Sequence, residues 1–220
     1  MFSRLACLKA FQALVVLSAV FLASRGLADD IKLPDPQTEG GIGIFEALKK
    51  RSSVAGGDFS LAEVTLGELS SVLWAASGLN RGQTGWTVPM AEGLPPYVRI
   101  YVAGQDGTYL YDWAGHLLKE VSKENIKGKM GGHGFVAKAY YVLILTTDQE
   151  VLGQLLRGGG AQKGEFANVL VGAMTQDIYL AAAALSLGTR YIHSMNKEAV
   201  SAALGLGPGD YPIALMPLGK

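Results

Sequence analysis

The chain has 220 residues, 49% hydrophobic and 17% charged, with 19 basic against 19 acidic side chains, an ordinary globular composition with length for one good-sized core. Residues 1–28 hold Arg4, Lys9 and Arg25 and no acid, so the remainder carries 16 basic and 19 acidic residues, a balance of −3, and the lone Cys7 also falls within them. For the remainder this excludes disulfides, a cysteine nucleophile and a thiolate metal site, and argues against charge-driven nucleic-acid binding.

In chain order, MFSRLACLK supplies the cations, AFQALVVLSAVFLAS is an apolar run too short to span a bilayer comfortably, and GLA places small residues before Asp29. This pattern predicts a secretory signal over residues 1–28, removed on export to the periplasm or the exterior. The other reading is an uncleaved anchor, against which Arg25 interrupts the apolar run before it reaches about 20 residues. Cys7 precedes the run, where a lipid-anchoring cysteine would follow it. Residues 29–40 read as an extended arm and 41–220 as one domain.

In GIGIFEALKKRSS, residues Ile42, Ile44, Phe45 and Leu48 recur at helical spacing and a basic cluster follows, so a first helix is predicted. Thr65 and Glu68 form a capping box, an apolar stripe follows, and Gly78 stands at the end, which predicts a helix over 66–77. YVRIYVAG, a QDG turn and TYLYDW predict a hairpin over 97–113, with HLLKEV as a third strand. Tyr140 to Thr147 is a continuous apolar run, the mark of a strand covered on both faces. EFANVLVGAMTQDIYLAAAALSLG carries a long stripe from Ala167 to Leu185 and predicts the longest helix, capped by Gly188. RYIHS is a short strand or turn, NKEAVSAALGLG a helix, and YPIALMPLGK a final buried strand. Helices and strands mix without regular alternation, which predicts an α+β fold with a mixed or antiparallel central sheet.

Few motifs point to chemistry. KKRSS ends a helix, where cations are favoured by the helix dipole, and it also has the make-up of an anion site. GKMGGHG lacks the Lys-Ser/Thr ending of a phosphate loop, and His116, His133 and His193 have no metal-site spacing, so no metal is expected. There is no G-x-S-x-G elbow.

KKRSSV, LSSVLWAASGLNR at 69–81, WTVPMA at 86–91, TQDIYLAAAALSLGT at 175–189 and IxxxxKEAVSAALGLGPGDYPIALMPLG at 192–219 stand in the order found in the nitroreductase family. The chain resembles that family over about residues 40 to 219, most of all its azoline-oxidising dehydrogenase branch. The resemblance implies an α+β homodimer with FMN at the subunit interface and hydride transfer through the flavin. The small residues Ala181, Ala182 and Ala184 suit a tight helix contact in such a dimer.

The resemblance also suggests where a flavin would lie. Arg51, Ser52 and Ser53 match the family's phosphate- and ribitol-binding start, with Ala55 where a second basic residue is usual. Thr87, Pro89, Met90, Ala91, Gly93 and Pro95 match the T-x-P-S-A-x-N-x-Q loop beside the flavin ring, with Met90, Gly93 and Pro95 replacing its serine, asparagine and glutamine. Ile192 and His193 match the segment facing the redox-active nitrogen, where His193 offers a donor, and Lys220 stands in for a terminal basic residue at the phosphate. Two readings result: an exported FMN-dependent oxidoreductase acting on a small molecule, or a non-catalytic ligand- or partner-binding protein whose cleft Met90, Pro95 and Pro96 make more apolar.

Overall fold

The computed structural model describes residues 30–55, 59–60, 62–82, 85–90, 95–131, 133–155 and 163–220. The predicted signal, Ala91 and Gly93 lie outside the described residues. β1 (Ile31–Lys32), α1 (Ile44–Lys50), α2 (Leu66–Ser77), the ribbon of β2 (Leu79–Arg81) and β3 (Gly85–Trp86), and the strands β4 (Val98–Ala103), β5 (Thr108–Asp112) and β6 (Leu117–Ser122) form the first half. Two 3-10 turns, β7 (Tyr141–Thr147), α3 (Gln149–Leu155), α4 (Lys163–Ala184), β8 (Gly188–Thr189), α5 (Lys197–Leu204) and β9 (Pro212–Gly219) complete it. The seven-stranded sheet runs β1-β6-β5-β4-β7-β9-β8, every neighbouring pair antiparallel. Of the two sheet types the sequence allowed, the fold is the antiparallel one.

Period-two alternation divides the core into two layers. Val98, Ile100 and Val102 of β4 and Leu143 and Leu145 of β7 face a cluster completed by α2 and by Ala167, Leu170, Met174 and Ile178 of α4. Tyr101 and Ala103, with Val142 and Ile144, face a second cluster holding Ile126, Met130, Val136 and the α5 residues Val200 and Leu204. The Tyr140–Thr147 run is uniformly apolar because both its faces are covered.

The capping box of α2 is formed: Glu68 N–H donates to Thr65 Oγ1 at 3.2 Å, and Thr65 N–H to Glu68 Oε2 at 2.7 Å. Gly78 ends the helix with φ −84°, so left-handed geometry is not the reason for glycine. An added Cβ would sit 2.2 Å from Trp74 Cδ1, so room for the indole is the reason. α4 stops at Ala184, earlier than the sequence suggested; Ser186 takes the left-handed turn (φ 58°) and Gly188 enters β8 instead of capping. On α1 the residues Ile44, Phe45 and Leu48 share a face as their spacing says, yet are 56%, 83% and 47% exposed, and only Ala47 is buried.

The stretch from Asp30 is fastened to the sheet. Ile31 pairs with Leu118 and Lys32 with Leu117. Beyond them Ser70 Oγ donates to Pro34 O at 2.6 Å, His116 Nε2 lies 2.7 Å from Ser70 Oγ, and Tyr111 Oη 2.9 Å from His116 Nδ1. Because Ser70 donates to the carbonyl, its oxygen accepts from His116 Nε2–H, and Nδ1 accepts from the tyrosine; the network is satisfied by a neutral imidazole. His116 holds φ 48°, a strained value for a non-glycine residue that these bonds maintain. Elsewhere Arg99 joins Asp148 at 2.8 Å and Asp210 at 3.3 Å, tying β4 to the start of α3 and the approach to β9.

Candidate functional site

Arg51 follows the last residue of α1, and its guanidinium carbon lies 5.0 Å from the centroid of the Tyr179 ring on α4, a cation–π contact. Among the described residues it has no carboxylate partner. Tyr179 Oη accepts a 2.7 Å hydrogen bond from the Tyr191 backbone N–H and lies 2.7 Å from Ser53 Oγ. With the phenol donating to Ser53, the serine's own hydrogen is left for another acceptor. Ser52 is exposed beside it.

The two backbone segments that carry these groups are joined directly. Val54 N–H donates to Thr189 O at 3.0 Å and Arg190 Nη1 to Val54 O at 3.1 Å. Gly188 permits this approach, since a Cβ there would meet Val54 Cγ2 at 2.5 Å. Next along the chain, Ile192 is buried and exchanges both backbone hydrogen bonds with Leu215, so its N–H is engaged. His193 Nδ1 lies 2.9 Å from Ile213 O. A carbonyl only accepts, so Nδ1 carries the proton and a neutral ring presents Nε2 as an acceptor, the reverse of the donor role the sequence suggested. Tyr179, Tyr191, His193 and the α4 residues Asn168, Gly172 and Gln176 bound a cavity of about 570 Å³.

The loop residues lie elsewhere. Thr87 N–H donates to Gly78 O at 3.0 Å and its Oγ1 to Trp74 O at 3.2 Å, which fastens this loop to the end of α2. Pro89 is exposed, Pro95 is half-buried, and Met90 packs against the main core cluster. Lys220 Nζ pairs with Glu68 Oε1 at 3.0 Å, and that pairing together with the capping N–H of Thr65 holds the Glu68 carboxyl below its ordinary pKa against the opposing effect of burial.

Thr87 lines a second cavity, about 470 Å³, with Ala47, Trp74, Asp177, Leu180 and Ala181. On α4, Asn168, Gly172, Gln176 and Tyr179 recur at helical spacing on one face, while Asp177, Leu180, Ala181 and Ala184 recur on another. One chain therefore links Arg51 and Ser53, through Tyr179, to the cavity that His193 lines, and sets Thr87 at a cavity on another face of the helix. Asp177 was passed over by motif reasoning. Its signal was available, since it is the only charged residue from Phe166 to Leu187. Burial raises its carboxyl pKa from 3.8 to about 6.

An antiparallel sheet packed against a long helix, with an arginine and a serine hydroxyl both held on a tyrosine that lines a cavity, defines an α+β protein whose site has groups of the kind that suit an anion. The sequence profile of the nitroreductase family matches residues 48–220, and the chain belongs to that family, whose members are flavin-dependent oxidoreductases and commonly homodimers. A Methanocaldococcus jannaschii protein named as a nitroreductase is 29% identical over 200 residues, which are 87% of this chain and 96% of that protein. A crystal structure of a protein from Ralstonia eutropha JMP134, also named as a nitroreductase, matches with TM-score 0.78 and 27% identity over 87% of this chain and 89% of that one. A chain of the Escherichia coli microcin synthetase McbBCD complex shares the fold at TM-score 0.63 and 14% identity, over 93% of this chain and 81% of that one.

The residues present fit a flavin phosphate at one end. Arg51, without an acidic partner among the described residues and lying over the Tyr179 ring, and the hydroxyls of Ser52 and Ser53 supply charge and donors of the right kind. At the ring end, Met90 and Pro95 supply no side-chain donor for a pyrimidine edge.

Proposed function

We propose that the protein is an exported FMN-dependent oxidoreductase, working as a homodimer in which each flavin lies between two chains. Arg51, Ser52 and Ser53 of one chain hold the phosphate, and the Thr87–Met90 loop of the other, with Ala91 and Gly93, reaches the ring through backbone groups. When bound, the flavin supplies reversible hydride transfer. His193 accepts a proton at Nε2 while Ile213 O fixes its tautomer, and Tyr179 sets the positions of Ser53 and Tyr191. Lys220, engaged with Glu68, balances the charge near the α2 start instead of reaching the phosphate. The observation that carries this reading is the Arg51 guanidinium, lacking any carboxylate among the described residues and set over the Tyr179 ring, whose hydroxyl meets Ser53 and which itself lines the 570 Å³ cavity. The second reading, a non-catalytic binding protein, is favoured by the packing of Met90 into the core and by the commitment of Lys220.

Titration with FMN and riboflavin, followed by flavin fluorescence, separates the two. Arg51→Ala removes a charge-assisted contact of about 1.5–3 kcal/mol, so FMN should weaken about 10- to 150-fold while riboflavin, which has no phosphate, is nearly unchanged. Wild-type protein that takes up no FMN at about 100 micromolar, enough to half-fill a site of about −5.5 kcal/mol, removes the flavoenzyme reading and leaves the binding-protein one.

A further inference from the structure

We propose that residues 30–37 are a strap that acid releases from the body of the fold, with the His116 imidazole as its latch. The latch lies within one chain and needs no ligand, so it holds or fails independently of the flavin reading.

The strap has few holds, and His116 takes part in two of them. Its ladder with β6 is two residues long, flanked by Glu120 N–H donating to Asp30 Oδ1 at 3.3 Å and Lys32 Nζ donating to Gly115 O at 3.1 Å. Leu33, 2% exposed, donates its N–H to His116 O at 3.3 Å. Pro34 O accepts from Ser70 Oγ and lies 3.1 Å from His116 Nε2. Pro34 and Pro36 have no N–H to add. Among the described residues the next backbone hold is Gln37 N–H on Ser71 Oγ, at 2.9 Å.

Protonation undoes this arrangement. With a neutral ring, Nε2–H donates toward Ser70 Oγ and Pro34 O while Nδ1 accepts from Tyr111 Oη. A proton added at Nδ1 turns that nitrogen into a donor, so the phenol must accept. Its own hydrogen then has no other acceptor among the described residues, in a side chain that is 5% exposed. The groups around the ring do not take up the added charge. From the strap come Lys32 and Asp35, whose effects on the imidazole oppose each other; β5 brings Tyr111 and Asp112, the latter already paired with Lys119 of β6 at 2.7 Å; α2 brings Ser70, which does not titrate. Burial holds the imidazole below its ordinary pKa, against the pull of the Pro34 carbonyl. Once the strap lifts, water reaches the ring and the ordinary value of about 6.5 returns. The open form therefore binds the proton more tightly, and opening is favoured progressively as the pH falls below that value. Opening also frees His116 from its φ of 48°.

Amide hydrogen exchange of wild type, His116→Gln and Tyr111→Phe at pH 7.5 and 5.5, corrected for the intrinsic pH dependence of exchange, reads the latch directly. In wild type the protection of Leu33 and Gln37 should fall several-fold on acidification, while Leu143 and Leu145 in β7 lose much less. In His116→Gln that extra loss should disappear, even where the variant loosens the strap at both pH values. Tyr111→Phe removes the hydrogen that protonation strands, keeps the ring and should retain only a small part of the acid response, so the latch is tested even if His116→Gln does not fold. Equal protection at the two pH values in wild type overturns the latch, as does a loss shared equally by β7, which is global unfolding. An acid response that persists in full in either variant overturns it as well.

Discussion

Tyr179→Phe removes one oxygen, leaves the ring beneath Arg51 in place, and tests whether a single hydroxyl organises the candidate site. The oxygen lies 2.7 Å from both Ser53 Oγ and the Tyr191 nitrogen, and the residue is 8% exposed. Each hydrogen bond contributes about 0.5–1.5 kcal/mol net, so the variant should lose about 1–3 kcal/mol. Urea unfolding should show this as a lower midpoint with unchanged slope, and thermal unfolding as a fall of about 2–4 °C for each kcal/mol in a chain of this size. The same oxygen bridges the segment after α1 to the segment after β8, so without it a ligand must order both. FMN and riboflavin should therefore weaken together, unlike the selective loss expected for Arg51→Ala. A variant within about 0.3 kcal/mol of wild type in stability, and equal to it for both ligands, would show that the bridge positions nothing.

Burial holds the His116 imidazole below its usual pKa, so the folded protein prefers it neutral. The unfolded chain then takes up that proton first, and stability should be complete above about pH 6.5 and fall as the pH drops below it. The difference in urea midpoint between wild type and His116→Gln isolates this effect from other titrating groups; a difference that does not change between pH 7.5 and 5.5 refutes it. Protein purified from its native compartment should begin at Asp29 and carry no lipid, and an intact mass that includes residues 1–28 would restore the anchor reading.

Much of the fold was legible because its signals are local. The Thr65–Glu68 capping box, the turn between β4 and β5 and the uniformly apolar β7 each declare themselves within a few residues. A helical period, however, says which residues share a face and not what that face meets, so Ile44, Phe45 and Leu48 mark the helix correctly and yet stand exposed. The His116 network joins Pro34, Ser70 and Tyr111, two of them far away in sequence, and no spacing rule brings these together. The proposed phosphate end of the site reads in the sequence as Arg-Ser-Ser, whereas Tyr179, which contacts both Arg51 and Ser53, is one of several large residues on a long helix. Asp177 fits no motif, and only the wall around it gives it meaning. Lys220 carried the right charge, and its partner Glu68 was already accounted for as a helix cap.

The two ends of the seven-stranded sheet bear on how the protein behaves when concentrated. A free edge is a template on which another chain can add a strand, and the hazard grows with the length of unpaired backbone. Here β1 and β8 are two residues each. Pro34 and Pro36 follow β1 and bring no N–H to extend its ladder, while Thr189 O of β8 is already occupied by the Val54 N–H. Neither edge offers a run long enough to seed edge-to-edge growth, so the long apolar strands β7 and β9, the segments most able to self-associate, stay in the interior of a sheet with blunted margins.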